Sequence, residues 1–297
     1  MKPVDFEYFA PASLEEVVKL AAQSGPDVKL MAGGQSLMPL LNMRLVRPRV
    51  VVDLNRVPGL SYVRDEGETL VIGALTTHRQ VAESPVVGER LALLAEAVRQ
   101  IGHLQIRNRG THGGSLVHAD PAAELPTVAV ALGAELEALG PGGIRTIPVE
   151  EFFQGFLMTD LRPDEVITAV RWPVWSGRTG ASFQEVARRQ GDLALVAVAV
   201  QLALDQSGKC TRAAVALGGV GPRPIRALAT EEKVVGKTLH GGLLEAAARA
   251  AAEEIEPESD VHASAEYRRR VATALTRRAL EQAAQRAKGG LNPGDET

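Results

Sequence analysis

The stretch KLMAGGQSLMPLL, residues 29–41, breaks an apolar run with two adjacent glycines followed by two polar residues. A similar pattern returns in RNRGTHGGSLVHADP, residues 107–121. Adjacent glycines allow positive φ and let a ligand approach the main chain closely. Amides that point into such a turn form an anion site, to which Ser36, Thr111 and Ser115 add hydroxyl groups. Either loop alone is explained by a plain tight turn. The pair together predicts a two-sided site for a diphosphate.

Several familiar nucleotide and catalytic motifs are absent from the sequence. It has no G-x-x-x-x-G-K-[ST] for the phosphates of ATP and no G-x-G-x-x-G after a strand for NAD. GQSLM lacks the second glycine of a hydrolase nucleophile elbow, so we assign no catalytic side chain. The spacing of His112, His118 and Asp120 fits no known metal clamp, and we predict no metal site. Arg107, Arg109 and RRQGD could balance phosphate charge, or could be solvated surface groups.

Length and composition indicate a globular protein of two or three compact units. The chain has 297 residues, of which 45% are hydrophobic and 23% charged. The formal net charge is −3 and the basic residues are interspersed with acidic ones, so a nucleic-acid partner is not predicted.

Cysteine usage and the N-terminal sequence bear on compartment. Cys210 is the single cysteine, which excludes a disulfide within the chain and any iron–sulfur cluster held by its own thiolates. The N-terminus lacks a signal peptide's apolar core, and no apolar run reaches the length of a membrane helix. We expect a cytoplasmic protein, with association at the inner face of the membrane left open.

The first part of the chain predicts a small βαβ unit over residues 1–57. Ser13 with Glu16 three residues later indicates a helix N-terminus, and Gly25 indicates the helix end. VKLMAG and RPRVVVDLNRV have the apolar character of buried strands. Over residues 58–175 we expect hairpins in SYVRDEGETLVIGALTT and AELEALGPGGIRTIPV. In the same region we expect helices in ERLALLAEAVRQIG and PAAELPTVAVALG and a strand in DEVITAVRWPV.

From residue 176 the pattern changes, after a linker-like WSGRTG. LALVAVAVQLALDQSGKCTRAAVALGGV predicts two long strands joined by a turn. LLEAAARAAAEEI and AEYRRRVATALTRRALEQAAQRA predict two helices. These elements define a C-terminal domain over residues 176–287, and residues 288–297 have the composition of a flexible tail.

Three of these stretches resemble one family. AGGQSLMPLLNMRL, QIRNRGTHGGSLVHADPAAELP and RRQGDLALV are similar to the FAD-binding medium subunits of molybdenum hydroxylases. These include the medium chain of aerobic carbon monoxide dehydrogenase and the FAD domain of xanthine dehydrogenase. The resemblance runs in order to about residue 285, and its two glycine motifs are its most specific part.

The resemblance implies an α+β fold with a two-subdomain FAD-binding module of the vanillyl-alcohol-oxidase/MurB (PCMH) type, followed by a smaller C-terminal α+β domain. Non-covalent FAD would lie between the two subdomains, with its pyrophosphate held by both glycine loops. The first loop would contribute Leu30, Met31, Ala32, Gly33, Gly34, Gln35, Ser36 and Leu37. The remaining implied cofactor contacts are Ile101, Thr111, Gly113, Gly114, Ser115, Asp120, Glu124, Leu161 and Gln184.

Some residues depart from the family pattern. His112 stands where an aliphatic residue is usual, Ser115 where Asn is frequent, and Gln184 where the xanthine dehydrogenase branch has Lys. Gln35 occupies a position that is sometimes His. Leu193 replaces a Tyr that carbon monoxide dehydrogenases tend to carry near the ring, which weakens that assignment but not the flavin assignment.

By resemblance, the chain is an electron-transfer subunit. A large molybdopterin subunit would hydroxylate the substrate, a small subunit would carry two [2Fe–2S] clusters, and FAD here would pass electrons to an external acceptor. A dimer of heterotrimers is the expected assembly. Substrate choice would then belong to another chain. Two alternatives stay open: a stand-alone FAD-dependent oxidase or reductase, and a non-catalytic assembly subunit.

Overall fold

The computed structural model describes residues 2–289, which form an α+β fold with three main sheets and one short hairpin. The predicted tail lies outside the described residues from residue 290 onward. Each main sheet falls within one of the three predicted ranges: three strands within 1–57, five within 58–175 and four within 176–287.

The N-terminal layer is the predicted parallel unit. Its strands lie in the order β1-β3-β2, and both pairs are parallel. The Ser13 hydroxyl accepts a hydrogen bond from the Glu16 amide (3.3 Å), so the helix begins where predicted. Because parallel strands end at one edge, the glycine loop after β2 lies beside the turn after β3. The elements are β1 (Glu7–Phe9), α1 (Leu14–Ser24), β2 (Val28–Met31), α2 (Leu37–Asn42) and β3 (Val50–Asp53).

The middle layer is an antiparallel sheet built from the expected hairpins and strand. Its order is β4-β5-β10-β6-β7, and β10 pairs with both β5 and β6. The strands are β4 (Val63–Asp65), β5 (Thr69–Gly73), β6 (Glu135–Gly140), β7 (Gly143–Pro148) and β10 (Val166–Pro173), with a separate short hairpin of β8 (Phe153–Gly155) and β9 (Met158–Thr159).

Short helices cover this sheet. The helix expected over ERLALLAEAVRQIG is wrong as one element, because the chain leaves helical geometry at Leu91 (φ −135°, ψ 60°). The expected helix in PAAELPTVAVALG is confirmed, and all its residues are buried. The helices are α3 (His78–Glu83), α4 (Pro85–Arg90), α5 (Ala92–Gln100), α6 (Leu104–Arg107), α7 (His112–His118), α8 (Glu124–Leu132) and α9 (Val149–Phe152).

The C-terminal layer is a four-stranded antiparallel sheet in the order β11-β12-β13-β14, with helices packed on it. Both predicted long strands are confirmed, over Val196–Leu204 and Cys210–Gly218, and so are both predicted helices, over Gly241–Glu253 and Ala265–Ala287. The elements are β11 (Arg178–Val186), β12 (Val196–Leu204), β13 (Cys210–Gly218), β14 (Ile225–Arg226), α10 (Leu228–Val234), α11 (Gly241–Glu253) and α12 (Ala265–Ala287).

The linker interpretation of WSGRTG is wrong. Trp175 is buried, with the Arg212 guanidinium 3.9 Å from the centre of its ring. Strand β11 starts at Arg178, and a Cβ on Gly180 would lie 2.1 Å from the Ala283 carbonyl oxygen. The segment is therefore packed against α12, and its glycine is needed where helix and strand backbones touch.

The middle and C-terminal layers share a hydrophobic core. Ala181 and Phe183 of β11 belong to the same cluster as Leu93 and Leu125 of the middle layer. Helix α8 contacts both β12 and β13. This shared core fixes the loops of the middle layer against those of the C-terminal layer.

Candidate functional site

The first glycine loop presents a row of unused backbone donors. Among residues 2–289, no hydrogen bond has the N–H groups of Gly33 to Leu37 as donors. The carbonyls of the loop are held instead: Ala32 O accepts from Asn55 Nδ2 (2.9 Å) and Gly33 O accepts from Gln35 Nε2 (3.1 Å). A loop that is held through its carbonyls and leaves several amides unpaired can donate hydrogen bonds to a bound anion.

The second glycine loop is constructed differently. Gly113 and Gly114 lie in the first turn of α7, with Thr111 as its N-cap. The amides of His112 and Gly113 donate to the carbonyls of Thr76 (2.8 Å) and Ala74 (2.9 Å). Those of Gly114 and Ser115 donate to the Thr111 hydroxyl (3.3 Å) and carbonyl (3.0 Å). The expectation that both loops offer unpaired amides is therefore wrong for this one, because the middle sheet and the helix cap use them.

The two loops meet, as their joint occurrence predicted. A Cβ on Gly33 would lie 2.1 Å from the Arg109 carbonyl oxygen and 2.9 Å from the Gly110 Cα. A Cβ on Gly114 would lie 3.4 Å from the Ala32 Cβ. Glycine is thus required at Gly33 because main chain packs on main chain there.

A cavity of about 500 Å³ opens beside this junction. Arg109 lines it, and no hydrogen bond or ion pair involves its guanidinium among the residues that the structure describes. By contrast, Arg107 donates to the carbonyls of Ile101 (2.9 Å) and Gly102 (3.0 Å). Of the two arginines considered from sequence, Arg109 is the one able to meet an anion. The cavity is lined by Met31, Ala32, Gly33, Gly34, Gln35, Met38, Pro39, Asn42, Ile106 and Arg109.

Two buried histidines support the second loop. His112 Nε2 accepts from Trp172 Nε1 of β10 (3.0 Å), and its Nδ1 has no partner among the described residues. A Cβ on Gly110 would lie 2.8 Å from the His78 ring, so that ring sits directly under the turn. Burial lowers the pKa of His112 to about 3 and that of His78 to about 4. Both rings are therefore neutral near pH 7 and act as packing groups.

A second cavity, of about 830 Å³, lies at the seam between the middle and C-terminal layers. Asp120 and Phe156 line one side; Arg188 and Leu193 line the other. Asp120 Oδ1 accepts from the Ala122 amide (2.9 Å), which fixes the turn before α8. Phe156 and Leu193 are both more than half exposed, so this cavity has an apolar entrance.

Buried Arg268 holds the C-terminal wall of the second cavity. Its guanidinium donates to the Gly219 carbonyl (3.1 Å) and to Asp260 Oδ2 (2.7 Å). Hydrogen bonds from the Ala263 and His262 amides, and then the Arg268 bond, lower the pKa of the Asp260 carboxyl to about 2. The charges of Arg268 and Asp260 in this wall therefore compensate each other.

The third stretch also joins this region. A Cβ on Gly191, in RRQGD, would lie 2.8 Å from the His103 ring and 3.0 Å from the Gly102 carbonyl carbon. The turn that follows Ile101 thus contacts the loop that carries Arg188 and Leu193. All three sequence stretches come together in space, and the two cavities lie along their line of contact.

The remaining predicted site residues differ in where they lie. Ile101 is buried at the end of α5, Glu124 is buried at the start of α8, and Leu161 packs on the edge of the core. Gln184 points away from both cavities: its Nε2 donates to Ser182 Oγ (3.2 Å) and to Gln282 Oε1 (2.9 Å).

Sequence reasoning passed over several residues that line the cavities. Strand periodicity puts the side chain of Glu185, not that of Gln184, on the face of β11 toward the middle layer. The apolar residues that follow the first glycine loop are a signal for helix α2, whose first turn borders that loop. The lining residues outside the predicted site set include Met38, Pro39, Asn42, Ile106, Arg109, Phe156, Arg188, Asp192, Leu193, Glu258, Asp260 and Arg268.

Two family models match the chain in succession. Residues 4–175 match the FAD binding domain in molybdopterin dehydrogenase, and residues 181–283 match the CO dehydrogenase flavoprotein C-terminal domain. The chain belongs to the FAD-binding subunits of the molybdenum hydroxylases. The resemblance drawn from the three stretches is confirmed, as are the oxidoreductase class and FAD as cofactor.

Relatives of known activity and structure match this FAD-binding subunit over nearly its full length. The 6-hydroxypseudooxynicotine dehydrogenase complex subunit alpha of Paenarthrobacter nicotinovorans is 43% identical, with 97% of each chain covered. A chain of carbon monoxide dehydrogenase from Hydrogenophaga pseudoflava has a TM-score of 0.94 at 40% identity, covering 96% of this chain and 99% of its own. A chain of quinoline 2-oxidoreductase from Pseudomonas putida 86 has a TM-score of 0.92 at 39% identity, covering 97% and 99%.

The site of this FAD-binding subunit fits the cofactor on chemical grounds. A diphosphate needs several donors and a compensating cation, and the loop at Gly33 to Leu37 with Arg109 supplies both. In the described part of the chain, no helix combines the length and apolar character needed to cross a bilayer.

Proposed function

We propose that this chain binds FAD non-covalently along the line of contact of its three motif stretches. In this role it passes electrons from [2Fe–2S] clusters of a partner chain to an external acceptor. The observation that carries the proposal is the unpaired row of amides at Gly33 to Leu37 facing a cavity with an unpaired Arg109. FAD, when bound, supplies the two-electron redox chemistry of the subunit.

The first cavity would take the pyrophosphate. The amides of Gly33 to Leu37 would donate main-chain hydrogen bonds to its oxygens, and Arg109 would neutralise part of its charge. The second loop contributes shape rather than amides, because Thr111, Gly113 and Gly114 hold α7 close to Ala32. Ser115 keeps its hydroxyl available as a donor, since no bond to it is present among residues 2–289.

The second cavity would take the flavin ring, between the two layers. Asp120 lines this cavity, and Leu193 would close one face of the ring with an apolar surface. Arg188 lines the cavity, whereas Gln184 does not. We therefore propose that Arg188, in the loop after β11, makes the polar contact with the flavin ring that the sequence had assigned to Gln184. Ile101 and Glu124 lie at the same seam, next to the turn and the helix that form the walls.

The proposed assembly is a dimer of heterotrimers with a large molybdopterin subunit and a small [2Fe–2S] subunit. Support comes from the relatives, whose names describe subunits or medium chains of dehydrogenase complexes. One buried cysteine, Cys210, cannot ligate a cluster, so the clusters must lie on another chain. The vanillyl-alcohol-oxidase type of flavin module, the domain limits drawn from sequence and a cytoplasmic location stay predictions.

A release experiment tests this function. Purified protein, denatured in acid, should release yellow FAD into the supernatant with no flavin on the precipitated chain. The native preparation should carry an iron–sulfur chain and a molybdenum chain. A preparation that never contains flavin would refute the FAD site.

Two other outcomes point to the alternatives. A chain that carries FAD, lacks both partners and turns over a substrate alone would favour a stand-alone oxidase or reductase. A stable complex with both partners but no flavin would favour an assembly subunit. Flavin attached covalently to the chain would contradict the non-covalent site, and Gln35 has no chemistry for such a link.

A further inference from the structure

A chain of hydrogen bonds joins the first glycine loop to the N-terminal strand. Asn55, in the turn after β3, donates from Nδ2 to the Ala32 carbonyl oxygen (2.9 Å) and to Asp53 Oδ1 (2.5 Å). The other oxygen of that carboxylate, Asp53 Oδ2, accepts from the Tyr8 hydroxyl of β1 (2.6 Å). Tyr8 and Asp53 have no part in the site described above, yet their hydrogen bonds lead to its loop.

The parallel sheet brings these side chains to one edge. Met31, the last residue of β2, is paired with Asp53, the last residue of β3. Tyr8 of β1 is paired with Val51, which is also in β3. Because β3 lies between β1 and β2, its end is within reach of both outer strands. The Tyr8 hydroxyl and the Ala32 carbonyl therefore approach the turn after β3 from opposite sides.

The carboxamide of Asn55 has only one orientation that serves both contacts. A carboxylate and a main-chain carbonyl are acceptors only, so the NH2 group with its two N–H donors must face them. The Asp53 carboxylate also accepts from the Asn55 main-chain amide (2.9 Å), which fixes the backbone of the turn. Because the terminal torsion of an Asn side chain is otherwise broad, this carboxylate is what keeps the carboxamide directed to the loop.

Both ends of the chain keep the protonation state that it needs. Burial acts to raise the pKa of the Asp53 carboxyl, but hydrogen bonds from Tyr8 and Asn55 outweigh it and leave that pKa below its usual range. The hydrogen bond to Asp53 in turn raises the pKa of the Tyr8 hydroxyl. Near neutral pH the carboxyl is therefore a charged acceptor and the hydroxyl is a donor.

The bond to Ala32 also sets the direction of the first amide of the loop. The Ala32 carbonyl and the Gly33 N–H belong to one trans peptide unit, in which they point in opposite directions. The carbonyl faces Asn55, so the N–H faces away from it. Gly33 lines the first cavity and Asn55 does not, so this N–H lies on the cavity side of the loop. Among residues 2–289, Asn55 is the only side chain outside Ala32 to Leu37 that is hydrogen-bonded to the main chain of that stretch.

We propose that Tyr8, Asp53 and Asn55 are positioning residues for the site that takes the FAD pyrophosphate. This inference rests on the proposed function. The three residues are assigned no contact with the cofactor; they hold the Ala32 peptide so that the Gly33 N–H faces an incoming phosphate oxygen before FAD arrives. A donor that is already held in place loses less conformational freedom on binding, so it contributes more to the affinity.

Titration of the apoprotein with FAD at low and high salt tests the role of Asn55. Asn55→Leu keeps the branched shape of the side chain and removes both donors, so the dissociation constant of FAD should rise roughly 2- to 13-fold, which is the net worth of one hydrogen bond. Because no charge is removed, this factor should be the same at both salt concentrations. A factor that shrinks as salt rises would indicate a charge effect and overturn the positioning role. Gln285→Leu, which changes an exposed amide on α12, should leave the affinity unchanged.

A double-mutant cycle tests the link from Tyr8 to Asn55. Tyr8→Phe removes one hydroxyl and should weaken FAD binding, though less than Asn55→Leu does. In the Asn55→Leu protein the same change should have no further effect, because Tyr8 acts on the loop only through Asp53 and Asn55. A hydroxyl that merely stabilised the fold would lower the affinity equally in both backgrounds. Tyr267→Phe on α12 is the matched control and should leave the affinity unchanged.

The outcomes separate the positioning role from the FAD site itself. Wild-type protein that binds no FAD would refute the site. If the wild type binds FAD and Asn55→Leu binds it equally tightly, the positioning role is overturned and the site stands. Additive losses from Tyr8→Phe and Asn55→Leu would overturn the link through Asp53. If Asn55→Leu fails to fold, as judged by circular dichroism, Asn55→Ala carries the same test.

Discussion

Substituting Gly33 by alanine separates the two glycine loops with the smallest side-chain change available. The new Cβ would lie 2.1 Å from the Arg109 carbonyl oxygen, 2.8 Å from its carbon and 2.9 Å from the Gly110 Cα. All three atoms belong to the main chain, so no side chain can rotate away to make room. The loops must therefore move apart by roughly 1 Å to reach an ordinary contact distance.

The magnitude follows from that movement. Overpacking of this kind costs about 1–3 kcal/mol of folding free energy. Displacing the loop also misaligns the amides of Gly33 to Leu37 with the pyrophosphate and moves Arg109. Loss of one charge-assisted hydrogen bond, about 1.5–3 kcal/mol, corresponds to roughly 10- to 150-fold weaker FAD binding.

Titration of apoprotein with FAD, followed by the quenching of flavin fluorescence, measures the affinity. Urea denaturation measures the stability. Gly142→Ala is the matched control, because a Cβ at Gly142 meets nothing within 4 Å and the site is remote. Gly33→Ala protein that binds FAD as tightly as Gly142→Ala protein would refute the contact between the loops as the basis of the site.

Two further predictions concern charge in the site. Arg109→Ala should weaken FAD binding about tenfold, and this effect should become smaller as the salt concentration rises. As a control, Arg278→Ala on the exposed face of α12 should leave the affinity unchanged. Equal affinities in the two variants would contradict the role of Arg109. The second prediction uses the pKa of His112, which is about 3 in the folded protein and 6.5 in the unfolded chain. Because the folded protein holds this ring neutral, its contribution to the free energy of unfolding is complete above pH 6.5 and is progressively lost as the pH falls. Between pH 7 and pH 5, urea denaturation of the apoprotein should show the wild type losing about 2 kcal/mol relative to His112→Leu, and a pH-independent difference would show that His112 is not buried and neutral. Comparison with this variant is needed because Glu124 and Glu185 act in the opposite direction, their raised pKa values making the protein less stable as the pH rises from 4.5 to 8.

Local signals were sufficient for much of the fold. Helix α1 is capped by Ser13 at its start and by Gly25 at its end, as their capping chemistry predicts. Strands β12 and β13 follow from mainly apolar runs, since most of their residues are buried. These elements depend on their own residues and immediate surroundings, which a sequence displays directly.

The second glycine loop required information from distant residues. Gly113 and Gly114 look like a turn because glycine is a poor helix former. Their amides are nevertheless satisfied by Ala74 and by the Thr111 cap, and a Cβ on Gly113 would strike Ala74 at 2.7 Å. Tertiary contact thus selects glycine inside a helix, which local propensity cannot reveal.

Orientation along β11 was the other point that the sequence left hidden. Gln184 was assigned to the ring site, but the strand begins within a stretch of linker-like composition and its register was not predicted. Once Phe183 is known to face the core, alternation directs Glu185 to the seam and Gln184 to α12. A one-residue difference in register exchanges one face for the other.

Hydrogen exchange at the first glycine loop tests the central claim most directly. Without FAD, the amides of Gly33 to Leu37 have no hydrogen-bond partner among the described residues, whereas those of His112 to Ser115 are all bonded. Peptide-resolved exchange should therefore show rapid labelling at the first loop and slow labelling at the second in the apoprotein. On FAD binding, the first loop should become strongly protected and the second should change little. Saturating FAD that leaves exchange at Gly33 to Leu37 unaltered would contradict the account.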